Sequence, residues 1–145
     1  MLYRQITEAD LPEIFEVRTS TREHSYTLKE LEGLGITVES VEQKIKGDYK
    51  GFLCLVEGRI AGFSMGNRST GEMWVIAILP EFEGMGLGGR LITLIEDWLW
   101  REGCDELWLT TGSDPSMRAY GFYLHMGWHE AELDDEIRTF RKRKL

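Results

Sequence analysis

A glycine-dense turn at residues 84–89, referred to below as the glycine turn, is the stretch of this chain best suited to chemistry. Gly84, Gly86, Gly88 and Gly89 follow an apolar stretch with a proline and precede a long amphipathic segment. Glycines let the backbone approach a ligand closely, and the first N–H groups of a following helix have no partner within that helix. Such donors, with the positive end of the helix dipole, favour an anion, so the turn predicts a phosphate-binding site.

Three other interpretations of the glycine turn fit its flanks less well. Gly84, Gly86 and Gly89 spell the G-x-G-x-x-G of dinucleotide-binding folds, but there the first glycine follows the strand directly, whereas residues 80–83 intervene here. A P-loop would need Gly-Lys-Ser/Thr after the glycines, and that sequence does not follow. A turn that only packs a helix on a sheet does not require four glycines in six residues, since each glycine costs conformational entropy.

The glycine turn resembles motif A of the GNAT acetyltransferase superfamily, which has an apolar strand, a proline and then Arg/Gln-x-x-Gly-x-Gly/Ala at the start of a helix. Gly86 and Gly88 fill the glycine positions, and Glu83 stands where the family carries Arg or Gln. The resemblance implies that the turn binds the pyrophosphate of acetyl-coenzyme A and that the strand before it binds the pantetheine arm. A carboxylate at position 83 should weaken binding unless it points to solvent. The implied coenzyme-binding residues of this motif are Ile76, Ala77, Ile78, Glu83, Gly84, Met85, Gly86, Leu87, Gly88 and Gly89.

Residues 116–128 resemble motif B of the same family, an Asn-x-x-Ala-x-x-Phe/Leu-Tyr-x-x-x-Gly-Phe helix. Ala119, Phe122, Tyr123 and Gly127 fall in register, whereas Ser116 replaces the usual Asn and Trp128 the usual Phe. Serine keeps a hydroxyl that can cap a helix or meet the pantetheine arm. The resemblance therefore implies that Ser116, Ala119 and Tyr123 also belong to the coenzyme site.

Acyl transfer to an amine requires a base for the amine proton and an acid for the leaving thiolate. Tyr123 matches the family tyrosine that serves as general acid. Glu72 opens the predicted central strand where many members carry a glutamate that takes the amine proton, directly or through water. Glu23 and His24 are the reserve bases, and water relayed to bulk is a further option. The structural alternatives are a Tyr123 that only packs and a Glu72 that is only solvated.

The resemblance implies transfer of the acetyl group of acetyl-coenzyme A to a primary amine of a small molecule or peptide, by direct attack in a ternary complex. The alternative is a GNAT-fold acyl-coenzyme A sensor or protein-interaction module without turnover, suggested by Glu83 and Ser116. The segments expected to shape the acceptor pocket combine charges and aromatic rings, and they do not select one amine. These residues are Arg18, Arg22, Glu23, His24, Tyr26, Trp74 and Trp108.

Length and composition predict one domain over residues 1–145. With 42% hydrophobic and 29% charged residues, the chain fits a globular enzyme rather than a disordered or membrane class. Apolar stretches fall short of the roughly eighteen residues of a membrane span, and a basic leader with an apolar run is lacking, so we expect a cytoplasmic protein without a membrane partner. A formal charge of −8 argues against a nucleic-acid partner.

Metal and disulfide chemistry are not predicted. His24, His125 and His129 lack metal-ligand spacing. Cys54 and Cys104 form no C-x-x-C pair and are expected to be buried, reduced thiols.

The basic run at residues 138–145 is interpreted as an edge strand whose charges discourage pairing with another sheet, in preference to a polyanion-binding site. Members of the GNAT superfamily are often dimers, so the resemblance is compatible with a homodimer as well as a monomer.

Hydrophobic periodicity predicts the elements that must position these residues. Strands are predicted at 2–6, 52–56, 60–66, 73–79, 107–111, 128–133 and 136–143, and helices at 8–18, 27–31, 38–45, 87–102 and 115–126. The long helix after the glycine turn is apolar on one face and ends at Gly103. The resemblance implies a mixed α/β fold, the GNAT fold, with a central, mostly antiparallel twisted sheet of six to seven strands flanked by helices.

Overall fold

A computed structural model describes residues 1–22 and 26–145 of the chain. Its strands in chain order are β1 (Leu2–Gln5), β2 (Tyr49–Val56), β3 (Arg59–Asn67), β4 (Glu72–Ile78), β5 (Glu106–Gly112), β6 (His129–Asp134) and β7 (Ile137–Arg143). Its α-helices are α1 (Leu11–Arg18), α2 (Leu28–Gly33), α3 (Val38–Lys46), α4 (Leu87–Arg101) and α5 (Arg118–His125), with short 3-10 turns at Glu8–Asp10 and Pro80–Phe82. Each strand and α-helix overlaps its predicted counterpart.

The strands form one seven-stranded sheet in the order β1-β2-β3-β4-β5-β7-β6. Neighbouring strands are antiparallel except β4 and β5, which are parallel. Buried side chains of α1 and α3 pack against one set of strand residues, and those of α4 and α5 pack against another. The predicted fold class, a mostly antiparallel sheet flanked by helices, is confirmed.

The sheet opens between β4 and β5. Glu72 and Trp108 are paired in register, and the described residues provide no further register pair between these strands. The edge of β4 beyond Glu72 therefore lacks a strand partner, which leaves backbone N–H and C=O groups available for another extended chain.

A β-bulge in β4 determines which side chains point to each face of the sheet. Trp74 is the extra residue where the register with β3 shifts. Trp74 and Val75 both pack with the α1 and α3 cluster, whereas Met73 and Ile76 pack with the α4 and α5 cluster. A regular strand would alternate its side chains, so the bulge brings two adjacent side chains to the α1 side.

Helix α4 is anchored by an apolar face and by a buried carboxylate. Leu91, Ile92, Ile95 and Leu99 are fully buried, and each contributes roughly 1.5–3 kcal/mol to stability. Glu96 on the same helix is also buried and accepts hydrogen bonds from the Trp128 indole at 2.8 Å and from the Lys142 ammonium at 3.0 Å. These contacts tie the helix that follows the glycine turn to β7 and to the segment after α5.

The edge-strand interpretation of the basic run was wrong. Strand β7 lies between β5 and β6, and the edges of the sheet are β1 and β6. Arg138 pairs with Glu130 at 2.8 Å, and Arg141 pairs with Glu132 at 3.0 Å. The cations therefore neutralise acidic side chains of the adjacent strand instead of protecting an edge.

The cysteines and the helices bear on other sequence-based expectations. Both thiols are free, and Cys54 is buried as expected, but Cys104 is partly exposed. Among the described residues there is no group of three or more His, Cys, Asp or Glu side chains that could hold a metal ion. Within the same residues, no helix has the length and apolar character needed to cross a membrane.

Candidate active site

A cavity of about 960 Å³ opens where β4 and β5 diverge. Its volume is within the range of small-molecule and cofactor sites. Side chains and backbone from α1 to α5, from β4, β5 and the glycine turn, and from the start of β7 form its walls. The predicted site residues that line it are Glu72, Ile76, Ala77, Ile78, Glu83, Gly84, Gly86, Leu87, Gly88, Gly89, Ala119 and Tyr123, with Arg18, Arg22, Tyr26 and Trp74 from the predicted acceptor side.

The glycine turn has the backbone geometry of an open anion site. Gly84 and Gly86 have φ values of +78° and +83°, and Gly86 is the N-cap of α4. A Cβ at either position would meet no other atom within 4 Å, so the space beside both is open. Within the described part of the chain, no backbone N–H from Gly84 to Gly89 donates a hydrogen bond. These donors lie at the positive end of α4, where an anion is favoured.

Helix α5 packs directly against the first turn of α4. A Cβ on Gly88 would lie 3.4 Å from the Phe122 ring, and one on Gly89 would lie 3.8 Å from the Met126 sulfur. Both glycines lack a positive φ, and a Cβ at either position would make an ordinary van der Waals contact with the facing side chain. The packing brings the N-terminus of α5 next to the glycine turn.

Glu83 does not point to solvent. Its side chain is 17% exposed, and its carboxylate accepts hydrogen bonds from Arg22 Nε at 3.2 Å and from Arg118 Nη1. Arg22 follows α1, and Arg118 is the first residue of α5, so one carboxylate joins segments on both sides of the cavity mouth. The negative charge of Glu83 is thus paired with two guanidiniums, and the expected weakening of coenzyme binding by this carboxylate stays a prediction.

Glu72 is a half-buried carboxylate at the start of β4, and it lines the cavity. Burial raises its pKa above the usual glutamate value, while the nearby Lys44 ammonium acts in the opposite direction. A carboxylate with a raised pKa is a stronger base than a solvated one. Glu72 thus lies in a cleft and has a raised pKa, a combination that is common at functional sites.

Tyr123 lies on the α5 side of the cavity and is 5% exposed. Its ring makes edge contacts with Phe122 and Trp128 and a tilted contact with Phe140. Burial raises its pKa above that of an ordinary tyrosine. The hydroxyl is therefore protonated at neutral pH, and a tyrosine O–H is a hydrogen-bond donor.

A model of the Acetyltransferase (GNAT) family matches residues 8–128. The chain belongs to this family. The resemblance that the two motifs indicated is thereby confirmed, and acetyl transfer is the general activity of its members.

Solved structures of GNAT proteins have the same fold as this chain. It is similar to a PaiA N-acetyltransferase from Thermoplasma acidophilum in complex with coenzyme A, with 18% identity, a TM-score of 0.84, and coverage of 99% of this chain and 100% of that one. An N-acetyltransferase from Staphylococcus aureus Mu50 gives 13% identity, a TM-score of 0.79, and coverage of 98% and 97%. The ribosomal-protein-S18-alanine N-acetyltransferase from Escherichia coli gives 19% identity, a TM-score of 0.72, and coverage of 97% of this chain and 90% of that one. At identities this low, the structural likeness establishes the fold alone.

Three residues predicted from the GNAT resemblance are not among those that line the cavity. Ser116 donates its hydroxyl to Asp114 at 2.7 Å, and α5 begins at Arg118 with Met117 as its N-cap, so Ser116 is not the cap. The Met85 side chain is 47% exposed. Trp108, predicted on the acceptor side, donates its indole N–H to the Thr70 carbonyl at 3.0 Å.

The reserve bases of the sequence analysis, Glu23 and His24, lie outside the described residues. Glu72 is therefore the predicted base whose surroundings can be described. Its place in the reaction remains a prediction, as do the binding roles of the other site residues.

The cavity of this GNAT protein also includes residues that were not predicted to belong to the site. Among them are Arg118 of α5, the end of β5 at Thr110, Thr111 and Gly112, and the start of β7 at Ile137 with Glu136 before it. Phe122, which falls in register with motif B, lines the cavity as well. Arg118 carried a usable signal: it is a cation within motif B of a chain whose motif A has an unexpected carboxylate. The sequence at the end of β5 contains no comparable signal, because these residues reach the cavity only through the separation of β4 and β5.

Proposed function

We propose that this GNAT protein is an acetyl-coenzyme A dependent N-acetyltransferase that acetylates a primary amine of a small molecule or peptide by direct attack in a ternary complex. One observation carries the proposal. The unpaired amides of the glycine turn open into the same cavity as Glu72 and Tyr123. A phosphate site, a base and an acid in one cleft are the parts that acyl transfer from a phosphate-bearing thioester needs.

The chain offers a continuous surface for the coenzyme. The amides of residues 84–89 would hold the pyrophosphate, as the N-terminus of α4 favours an anion. The unpaired edge of β4 at Ile76–Ile78 would bind the pantetheine arm as an added strand. Ala119 and Tyr123 line the wall formed by α5. Acetyl-coenzyme A supplies the activated thioester when bound.

The proton transfers are assigned to Glu72 and Tyr123 because both side chains line the cavity. As the amine nitrogen forms its bond to the acetyl carbon and the carbon–sulfur bond breaks, Glu72 takes the amine proton, directly or through water. Tyr123 gives its proton to the leaving thiolate and regains one from solvent. A backbone N–H of the central strand would polarise the thioester carbonyl.

The acceptor half of the cavity combines apolar walls with a half-buried cation. Trp74, Tyr26, Leu31 of α2 and Leu34, which directly follows that helix, line it. The Arg18 guanidinium lies 4.7 Å from the centre of the Tyr26 ring, and burial lowers its pKa. Apolar and aromatic walls suit an amine that carries a hydrophobic portion. The E. coli neighbour is named for an alanine of a ribosomal protein, which supports including peptide N-termini among the acceptors to be tested.

The test is turnover with a panel of amines. The protein is incubated with acetyl-coenzyme A and, in turn, with amino acids, polyamines, an aminoglycoside and peptides with free N-termini, while free thiol is followed. We expect amine-dependent thiol release and an acetylated product by mass spectrometry. Coenzyme A binding without acetylation of any amine would favour the sensor alternative. Absence of coenzyme A binding would contradict both functions.

A further inference from the structure

The ion pairs of Glu83 lie at the mouth of the cavity, next to the glycine turn. Glu83, Arg22 and Arg118 line the cavity together with Gly84 and Gly86. Together these three side chains carry one negative and two positive formal charges. A cation, which motif A supplies itself when this position is Arg, thus comes here from two other segments.

Packing of α5 on α4 fixes where Arg118 lies. Arg118 begins α5, and Phe122, one helical turn further on, contacts the site of Gly88 in the first turn of α4. The Arg118 guanidinium contacts the carboxylate of Glu83, the residue that directly precedes the glycine turn. A guanidinium has five N–H donors in a planar fork, so contact with a carboxylate is compatible with contact to a phosphate.

A purely structural role explains these ion pairs poorly. The Arg22 and Arg118 side chains are 61% and 57% exposed, and exposed ion pairs contribute little to stability. The partner carboxylate, in contrast, is 17% exposed and lies beside an open anion site. Guanidiniums held at such a place are well suited to recognise a bound polyanion.

Resting on the function proposed above, we propose that Arg118 and Arg22 bind the pyrophosphate of coenzyme A, and that Glu83 is a positioning residue that holds both guanidiniums beside the glycine turn. Glu83 thus contributes to coenzyme binding indirectly, by orienting the two guanidiniums. The residue that departs from motif A and the two arginines form one functional unit.

Binding of three ligands to arginine variants tests the assignment. Calorimetry measures the affinities of coenzyme A, 3′-dephospho-coenzyme A, and pantetheine, which lacks the pyrophosphate. Arg118→Gln and Arg22→Gln should each weaken both coenzymes by roughly threefold to tenfold and leave pantetheine within twofold. Arg118→Lys should retain most of the affinity.

Arg90→Gln is the matched control for charge. Arg90 lies on α4 close to the turn, with its guanidinium 5.9 Å from the centre of the Tyr3 ring, and it is not among the cavity-lining residues. Equal losses in Arg90→Gln and Arg118→Gln would overturn the assignment, because net charge alone would then explain them. Wild-type protein that binds no coenzyme A would instead contradict the proposed function itself.

Glu83→Gln in two backgrounds tests the positioning role. In Arg118→Gln protein, Glu83→Gln should raise coenzyme A affinity severalfold, because it removes a carboxylate that has lost a partner. In wild-type protein the same change should leave the affinity unchanged or lower it, because the arginines lose their anchor. An equal gain in both backgrounds would show that Glu83 only repels the ligand and would overturn the positioning role.

Discussion

Glu72 and Trp108 form the only register pair between β4 and β5 among the described residues. The carboxylate predicted to be the base therefore lies at the vertex where the two strands separate and the cavity begins. Its backbone is fixed on both sides, by β5 at Trp108 and by β3 at Asn67. A base on a paired strand is held in place more rigidly than one on a loop.

The first prediction concerns the pH dependence of Glu72. Because burial raises its pKa, kcat/KM should fall on the acid side with an apparent pKa above about 4.3, the ordinary glutamate value. Glu72→Gln should lower kcat roughly 100-fold or more and remove that limb. Glu136→Gln is the control, since Glu136 also lines the cavity but lies before β7. An unchanged profile in Glu72→Gln would exclude Glu72 as the base.

Ionisation of the Glu72 carboxylate should lower the stability of the folded protein. The folded-state pKa of Glu72 is raised, so the folded protein binds this proton more tightly than the unfolded chain does. The resulting stability is present below the unfolded pKa and is lost as pH rises through the folded one. Glu72→Gln should therefore have the larger free energy of unfolding at pH 7, and its advantage over wild type should shrink towards about pH 4. Denaturant titrations at both pH values measure this, and an advantage that grows on acidification would contradict it.

Tyr123→Phe should separate chemistry from binding. The phenyl ring keeps the contacts with Phe122, Trp128 and Phe140, so we expect little change in stability or coenzyme A affinity. Loss of the proton donor should lower kcat roughly 100-fold. Tyr120→Phe is the control, since Tyr120 is on the same helix but not among the cavity-lining residues. Similar kcat values for the two variants would show that Tyr123 only packs.

Local sequence patterns predicted the elements of this fold better than its long-range relations. The glycine turn and its helix follow from adjacent residues, and both lie where they were predicted. The partners of Glu83 are 61 and 35 residues away along the chain, so its ion pairs depend on packing that no local pattern contains. The bulge at Trp74 depends on the register with β3. Strand β7 was placed at an edge because its basic composition suits one, but edge position depends on strand order.

Gly86→Glu should abolish coenzyme A binding without unfolding the protein. Gly86 has a φ of +83° and open space beside it, so the new side chain would occupy the proposed pyrophosphate site with bulk and like charge. Left-handed strain should cost roughly 1–2 kcal/mol. Gly103→Glu is the matched control, since Gly103 has a φ of +97° and open space beyond the far end of α4. Equal coenzyme A affinity in the two variants would contradict the placement of the pyrophosphate.

Substitution of the buried Glu96 in α4 should lower the free energy of unfolding strongly. Its carboxylate accepts the Trp128 indole N–H and the Lys142 ammonium, and Lys142 also donates to the Met126 carbonyl at 2.9 Å. Glu96→Ala would leave a partly buried ammonium and a buried indole N–H without their acceptor, so unfolding free energy should fall by about 3 kcal/mol. Glu96→Gln keeps an oxygen for one donor and should lose less. Asp97→Ala, an exposed change one residue away, should have an effect within about 0.5 kcal/mol. Denaturant titration measures all three variants, and equal stability of Glu96→Ala and Asp97→Ala would show that the buried network does not anchor the helix.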